Sequence, residues 1–340
     1  MGETSQTAPA DWYSGESRWR QERAGVFARS WHFLGHASAW PGPSSYVAET
    51  LAGYPIVVVR DGSGGFRGFH NVCRHRAGPL TDTASGVCEK SELVCRYHGW
   101  RYALDGRLKT ARDFGAAGDF DVRDFSLFPV RVESWRGLVF AALDEKAGAL
   151  GDLLAPLDRA LGESDWSGHH IAGTRRHHLK CNWKTYVENY LEGYHIPILH
   201  PGLDAELDTP RYSVRVEGRV IWNDAPAKVK DAIYGGFFAW VWPNIAFNVY
   251  QTGLMIERMS PIGGEGTRLD YLYLMPPGHE LSVETLALSD AVANEDKWIV
   301  ERVQENLNAG VYARGRLSPK HESGVGAFQA MVRAALDRLD

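Results

Sequence analysis

The spacing of hydrophobic residues changes twice along the chain, and each change marks a boundary. In "SRWRQERAGVFARSW" Trp19, Val26, Phe27 and Trp31 recur at near-helical intervals. This predicts a helix from about Ser17 to Trp31 that packs on the later part of the chain. From Trp31 to about Leu143 the pattern becomes short β-rich runs punctuated by glycine, as in "SYVAETLAGYPIVVVRDGSGGFRGFHNVC", "ELVCRYHGWRYALDGRL" and "FPVRVESWRGLVFAAL". These predict a small antiparallel β domain, with Asp105-Gly106 and the Asp61–Gly65 stretch tolerating the positive φ of tight hairpins. After a link around Glu145–Gly151, helical segments mix with longer strands such as "GFFAWVWPNIAFNVYQ" and "TRLDYLYLMPP". The expected fold class is therefore α+β: an N-terminal helix over 1–30, an antiparallel β domain over 31–144, and a larger domain over 145–340 with helices around an antiparallel sheet. No internal repeat or low-complexity stretch interrupts this pattern.

Two later segments place polar groups against an apolar pattern. In "CNWKTYVENYLEGYHIPILH" Trp183, Val187, Tyr190 and Tyr194 make one buried helical face, and Glu188, Glu192 and His195 fall together on another. His200 stands five positions beyond His195 with Pro197 between them, so the helix is expected to end near His195 and to deliver His200 from the following turn. In "SDAVANEDKWIVERVQENLNAG" Val292, Ile299, Val303 and Leu307 form an apolar stripe that includes Asp296, while Asp290 projects to the opposite side. An ionised carboxylate pointing inward is expensive unless it is paired or metal-bound.

Composition narrows the functional classes. The 340 residues are 44% hydrophobic and 23% charged with a net charge of −5, which argues against a nucleic-acid binder. No apolar run approaches the roughly 20 residues of a membrane span. The start "MGETSQTAPADWYSGES" lacks a secretory pattern, so a cytoplasmic protein is expected. Four cysteines (Cys73, Cys88, Cys95 and Cys181) are too few for a disulfide framework and fit reduced thiols. Cys88 lies in no Cys-x-His or Cys-x-x-His context and reads as a small half-buried residue.

Cys73-x-His75 and Cys95-x-x-His98 suit an iron–sulfur cluster with two sulfur-ligated and two nitrogen-ligated positions. A structural zinc site accepts the same donors, but the β-rich surroundings without a zinc-finger helix, and the runs "HRAGPL" and "HGWRY", favour the cluster. Hairpin tips are expected to present these ligands. Arg74, Arg76, Arg96 and Arg101 either form a basic rim for an acidic electron donor or cap loop carbonyls and pack along Trp100, itself a lid over the cluster or core packing. Glu192-x-x-His195 followed by His200 suits a second site, because two histidines and one carboxylate leave ferrous iron open positions for O2.

"NVCRHRAG", "LVCRYHGWRY" and "NWKTYVENYLEGYHIPILHPGL" stand in the order and spacing of Rieske non-haem iron oxygenases, and the chain resembles their catalytic α subunit from near Ser17 to its last helix. The resemblance implies a helix-grip-like catalytic domain and a [2Fe-2S] cluster with Cys73 and Cys95 on one iron and His75 and His98 on the other. It also implies a mononuclear Fe(II) held by His195, His200 and a carboxylate on a late helix. Asp296 is the chosen carboxylate, with Asp290 or Glu295 as alternatives. Family members of this kind form head-to-tail homotrimers, so Glu192 would link His195 to His98 of a neighbouring chain, and Glu192 and Asn189 are the candidate catalytic residues.

"ENYLEGYH" looks closest to the branch of choline and carnitine monooxygenases, which implies hydroxylation or N-demethylation of a small organic substrate. Ring cis-dihydroxylation is the alternative reaction, and a Rieske electron carrier, with no use for His195, His200 and Asp296, is the non-enzyme alternative. No nicotinamide or flavin fingerprint is present, since "DGSGGF" follows a strand with no helix after it. Electrons are therefore expected from a separate NAD(P)H-dependent reductase and/or a ferredoxin. Aromatic residues of "FFAWVWPNIAFNVY", with Tyr212, Trp222 and Tyr234, could enclose a quaternary ammonium or a flat ring.

Overall fold

The strand Tyr54–Arg60 is apolar at four consecutive positions, Ile56 to Val59, because it is buried on both faces. The structure, a computed structural model, describes residues 6–115, 117–230, 232–233, 236–250 and 252–339. Two units divide the chain, one from Arg29 to Ala147 and the other from the residues up to Ala28 together with Gly148 onward. In the first, a seven-stranded antiparallel sheet has the order β1 (Trp31–His36), β10 (Leu138–Ala142), β9 (Pro129–Trp135), β4 (Phe66–His70), β3 (Tyr54–Arg60), β2 (Ser45–Leu51) and β5 (Ser85–Val87). A three-stranded sheet holds β6 (Glu92–Val94), β7 (Arg101–Ala103) and β8 (Leu108–Thr110). Ile56 and Val58 join a core with Trp40 and Val139. Val57 and Val59 join another that contains Cys73, Cys95, Trp100 and Tyr102.

The β6–β7 hairpin carries Cys95 and His98 at its tip, as expected. Cys73 and His75 differ. They lie in the connection from β4 to β5, strands that pair with different partners, so this loop is not a hairpin.

In the second unit, the N-terminal helix α1 (Glu16–Glu22) continues as a π-type turn over Arg23–Phe27. It stops before the predicted end, because Trp31 opens β1 and pairs with Ala142. The sheet is seven-stranded and antiparallel, in the order β11 (His170–Leu179), β17 (Thr267–Met275), β16 (Leu254–Pro261), β15 (Ile245–Tyr250), β14 (Gly236–Val241), β13 (Val220–Asp224) and β12 (Ser213–Glu217). The segment read as one long strand, "GFFAWVWPNIAFNVYQ", is thus a hairpin of two. Pro243 at its turn has no N–H for a ladder, and the Asn244 side chain donates to the Met259 carbonyl (2.8 Å).

Helices α2 (Leu150–Leu161), α3 (Trp183–Tyr190), α4 (Ile196–Leu199), α5 (Pro201–Glu206), α6 (Val283–Asn308) and α7 (Ser323–Leu336) complete the unit. Among the described residues no helix is long and apolar enough to cross a membrane. Caps fix two helix starts: Asn182 Oδ1 accepts from the Lys184 N–H (3.0 Å), and Ser282 Oγ from the Thr285 N–H (3.0 Å).

A buried ion pair fastens α1 to α3. The side chains of Lys184 and Glu22 are 1% and 0% exposed, and the ammonium donates to the Glu22 carboxylate and to Asn182 Oδ1 (2.8 Å). Trp183 Nε1 donates to the other Glu22 oxygen (2.7 Å). Removing one partner of such a pair strands a charge, whereas replacing both with apolar groups of similar size is often neutral. Glu22→Gln should therefore destabilise this unit by about 3–5 kcal/mol in denaturant unfolding, and Glu22→Leu combined with Lys184→Met should restore most of it. Equal midpoints for wild type and Glu22→Gln would contradict the pairing.

Candidate metal centres and substrate cavity

Two similar tight turns hold the cysteine–histidine pairs. In one, the Cys73 N–H donates to the Gly78 carbonyl (2.8 Å) and the Ala77 N–H to the Cys73 carbonyl (3.1 Å). In the other, the Cys95 N–H donates to the Trp100 carbonyl (3.0 Å) and the Gly99 N–H to the Cys95 carbonyl (2.9 Å). Gly78 approaches so closely that a Cβ there would lie 3.0 Å from Cys95 Sγ. Both thiols are buried and free. The Tyr102 hydroxyl lies 3.2 Å from Cys73 Sγ and accepts from the Arg74 N–H (3.1 Å). The His75 and His98 ring centroids are 4.4 Å apart, and His75 stacks on buried Trp100 at 4.8 Å, so Trp100 is core packing behind a ligand ring.

His75 Nδ1 is buried without a hydrogen-bond partner, the condition of a nitrogen kept for a metal. Two buried thiols and two adjacent imidazoles therefore fit the mixed donor set of a Rieske cluster.

The four arginines divide into two pairs by their contacts. Arg74 donates to the Ser126 carbonyl (2.6 Å) and Arg101 to Glu92 (3.0 Å), so these two serve the structure. Arg76 and Arg96 stay exposed, the latter paired with Asp82 on the surface (2.9 Å). Cys88 is buried more fully than expected, and burial pushes its thiol up to about 11.

Helix α3 ends at Tyr190, well before the predicted end near His195. Leu191 has left helical geometry, with ψ at 9°, and Gly193 packs so tightly on Tyr212 that a Cβ would lie 2.7 Å from its ring. Glu192 closes the turn, its carboxylate accepting from the N–H groups of Tyr194 and His195 (3.3 Å for the latter) and from His195 Nδ1 (2.5 Å). Glu188 does not join Glu192 and His195 on one face. It accepts from the Tyr13 hydroxyl (2.7 Å) and Gln329 Nε2 (3.1 Å), and burial pushes its carboxyl up to about 7. Short α4 then places His200 at the junction with α5.

Helix α6 brings the carboxylates. Its buried stripe is Ser289, Ala293, Asp296, Val300 and Gln304, not the predicted valine–isoleucine–leucine stripe, and Val303 is 38% exposed. The stripe can be mostly polar because its groups have buried partners: Gln304 Oε1 accepts from the Asn182 N–H (2.8 Å), and Tyr273 and Ser289 hydroxyls meet at 2.6 Å. Asp296 is buried in it, whereas Asp290 forms a half-exposed ion pair with Arg175 (3.1 Å).

His195, His200 and Asp296 bring one ligand atom each to within 4.8 Å of one another. His200 Nδ1 donates to Glu295 Oε2 (2.7 Å), so Glu295 orients a ligand rather than replacing Asp296. With Nδ1 of His195 on Glu192 and Nδ1 of His200 on Glu295, both Nε2 atoms turn toward Asp296 Oδ1, at 4.0 and 3.0 Å. Neutral imidazole lone pairs facing a carboxylate form a donor set for a divalent cation, and the three residues fit the two-histidine, one-carboxylate arrangement of non-haem iron. Asn189 Nδ2 donates to Asp296 Oδ1 (2.7 Å) and steadies it.

A cavity opens beside this triad. Tyr186, Tyr190, Tyr212, Phe238, Tyr250 and Tyr271 form its aromatic wall. Trp222 does not take part: it is buried elsewhere beneath the Arg215 guanidinium at 4.7 Å. Tyr234 lies outside the described residues. Glu257, which the sequence reading missed, also lines the cavity, and burial, with Asp296 adding to it, pushes its carboxyl up to about 8. Its one trace in the sequence is an acid within the largely apolar strand "LMIERMSP", whose inward direction the structure shows.

A cysteine–histidine cluster site and a histidine–carboxylate iron site together define a two-centre oxygenase. The chain matches "Rieske [2Fe-2S] domain" over residues 30–125 and "Ring hydroxylating alpha subunit (catalytic domain)" over 166–338. It is 32% identical to the carnitine monooxygenase oxygenase subunit of Escherichia coli (strain K12), covering 96% of this chain and 92% of that one. It is 29% identical to the chloroplastic choline monooxygenase of Beta vulgaris, covering 98% and 78% respectively. The crystal structure of the quaternary ammonium Rieske monooxygenase CntA with L-carnitine superposes with a TM-score of 0.84 at 28% identity, covering 97% of this chain and 95% of that one. A naphthalene 1,2-dioxygenase structure, at 19% identity and a TM-score of 0.76, shares the fold. The chain belongs to the ring-hydroxylating α-subunit family of Rieske oxygenases, whose cofactors are a [2Fe-2S] cluster and a mononuclear iron.

Asp296→Ala should empty the mononuclear position while the visible spectrum of the cluster stays intact, and Asp290→Ala should lose no iron. Metal analysis with absorption spectra checks both, and full iron in Asp296→Ala would give the ligand role to another carboxylate.

Proposed function

We propose that the chain is the oxygenase component of a monooxygenase that hydroxylates or N-demethylates a quaternary ammonium compound. The observation that carries this reading is the tyrosine-rich cavity at the His195, His200 and Asp296 triad. Aromatic faces attract a quaternary ammonium, each contact contributing about 0.5–2 kcal/mol as water is excluded. The similarity to choline and carnitine monooxygenases supports the same class. One oxygen atom of O2 enters the substrate and the other leaves as water. Hydroxylation of an N-methyl carbon leads to C–N cleavage, giving an aldehyde and a tertiary amine.

In this reading His195, His200 and Asp296 hold the mononuclear iron, which supplies reductive activation of O2. Glu295 and Glu192 keep Nδ1 of the two histidines protonated, so that Nε2 faces the metal. Ile196, Leu203 and Leu207 add an apolar wall that limits water. Cys73, Cys95, His75 and His98 hold the cluster.

The Glu192 carboxylate accepts three hydrogen bonds within its own chain, which leaves it capacity for about one more. In a head-to-tail homotrimer that acceptor would receive His98 of a neighbouring chain. Electrons would come from a separate NAD(P)H-dependent reductase and/or ferredoxin, with exposed Arg76 and Arg96 attracting an acidic donor.

A substrate panel of ammonium compounds and arenes, scored by O2 uptake and product mass with a supplied reductase, tests the reaction class. The expected result is a hydroxylated or demethylated ammonium product. A cis-diol from naphthalene, with every ammonium compound untouched, would replace this reading with ring dihydroxylation.

A further inference from the structure

Three carboxylates line the cavity, those of Glu192, Glu257 and Asp296, and among the described residues no lysine or arginine does. Two of the three have nitrogen partners. Glu192 accepts from His195, and Asp296 accepts from Asn189 and faces His200. Glu257 differs. It stands on β16 with 3% exposure, and its Oε1 has no hydrogen-bond partner. The neighbouring Arg258 is turned to Asp270 (2.9 Å). The hydroxyls of Tyr186 and Tyr271 hydrogen-bond the Glu257 carboxylate and lie 3.2 Å from each other, so its partners are neutral donors and none is a cation. A carboxylate buried among aromatic rings without a cation is costly, and a cation entering the cavity would remove that cost.

The side-chain amides of the cavity point the same way. Asn189 Nδ2 donates to Asp296 (2.7 Å), Asn223 Nδ2 to the Tyr190 carbonyl (3.2 Å), and Asn248 Nδ2 to the Met255 carbonyl (3.4 Å). A substrate carboxylate would therefore meet acidic groups and amides that each already spend an N–H within the protein, with no guanidinium or ammonium to receive it. We infer that the cavity selects an ammonium substrate of net positive charge without a carboxylate, and that Glu257 is the counter-ion that sets this preference. The inference rests on the quaternary ammonium reading above and divides that class: a cationic ammonium alcohol fits, and a zwitterionic betaine does not.

Calorimetric binding to the iron-loaded enzyme without O2 tests this with three probes of related shape. They are choline (a cation), glycine betaine (a zwitterion) and 3,3-dimethylbutan-1-ol (the uncharged carbon analogue of choline). Choline should bind wild type about tenfold or more tighter than either of the others. Glu257→Gln should weaken choline about tenfold and leave the uncharged analogue nearly unchanged, while Glu257→Asp keeps the order of preference. Glycine betaine binding as tightly as choline, or choline unaffected by Glu257→Gln, would overturn the inference while leaving the quaternary ammonium reading in place. Arene binding with no ammonium compound bound would overturn both. If Glu257→Gln does not fold, the ranking of the three probes on wild type decides alone.

Discussion

Burial of the Asp296 carboxylate is the constraint on which the catalytic unit depends. A charge on the inner face of α6 must be met by cationic or hydrogen-bonding partners. The unit supplies one hydrogen bond, from Asn189 on α3, and turns the Nε2 atoms of His195, in the turn after it, and His200, between α4 and α5, toward the same oxygen, where a divalent cation would complete the set. This explains why α3 stops at Tyr190. A helix continuing to His195 would carry Glu192 round with the helix face, whereas the observed turn lets the same carboxylate cap two backbone N–H groups and hold the His195 ring. Glu295, beside Asp296 on α6, does the same for His200. Two adjacent acids on one helix thus have distinct tasks, one facing the metal position and the other orienting a ligand.

A second buried charge, Lys184, ties the chain's beginning to this region. It lies one turn before Glu188 and Asn189 on α3, and Glu22 on α1 neutralises it. The placement of Asn189 against Asp296 therefore depends on an N-terminal segment far away in sequence. Desolvation drives the Lys184 pKa down, and the Glu22 carboxylate opposes that shift.

Much of this was legible in the chain because ligand chemistry constrains residue type and spacing more tightly than packing does. Cys73, His75, Cys95, His98, His195 and His200 were identifiable by spacing, and the α+β class by the switch from short alternating runs to longer mixed ones. Asp296 was legible through its cost of burial, although the stripe that contains it was misassigned. Hydrophobic periodicity cannot register a buried face built from Ser289 and Gln304, whose burial rests on partners distant in sequence. The same limit hid the end of α3, set by Gly193 against Tyr212, and the hairpin inside "FFAWVWPNIAFNVY", where the Pro243-Asn244 pair was the one turn signal. Glu257 was hidden because one acid in an apolar strand reads as a surface position until the strand is seen to be buried throughout.

The central proposal is that, in a head-to-tail assembly, the two metal centres would work as one system through Glu192, from the cluster of one chain to the iron of the next. Single turnover of pre-reduced Glu192→Gln bypasses the external reductase and isolates that transfer. The account predicts a variant with both metals bound and a normally reducible cluster, in which product forms far more slowly than in wild type. Product formation at the wild-type rate in that variant, or full activity from a monomer in solution, would contradict it.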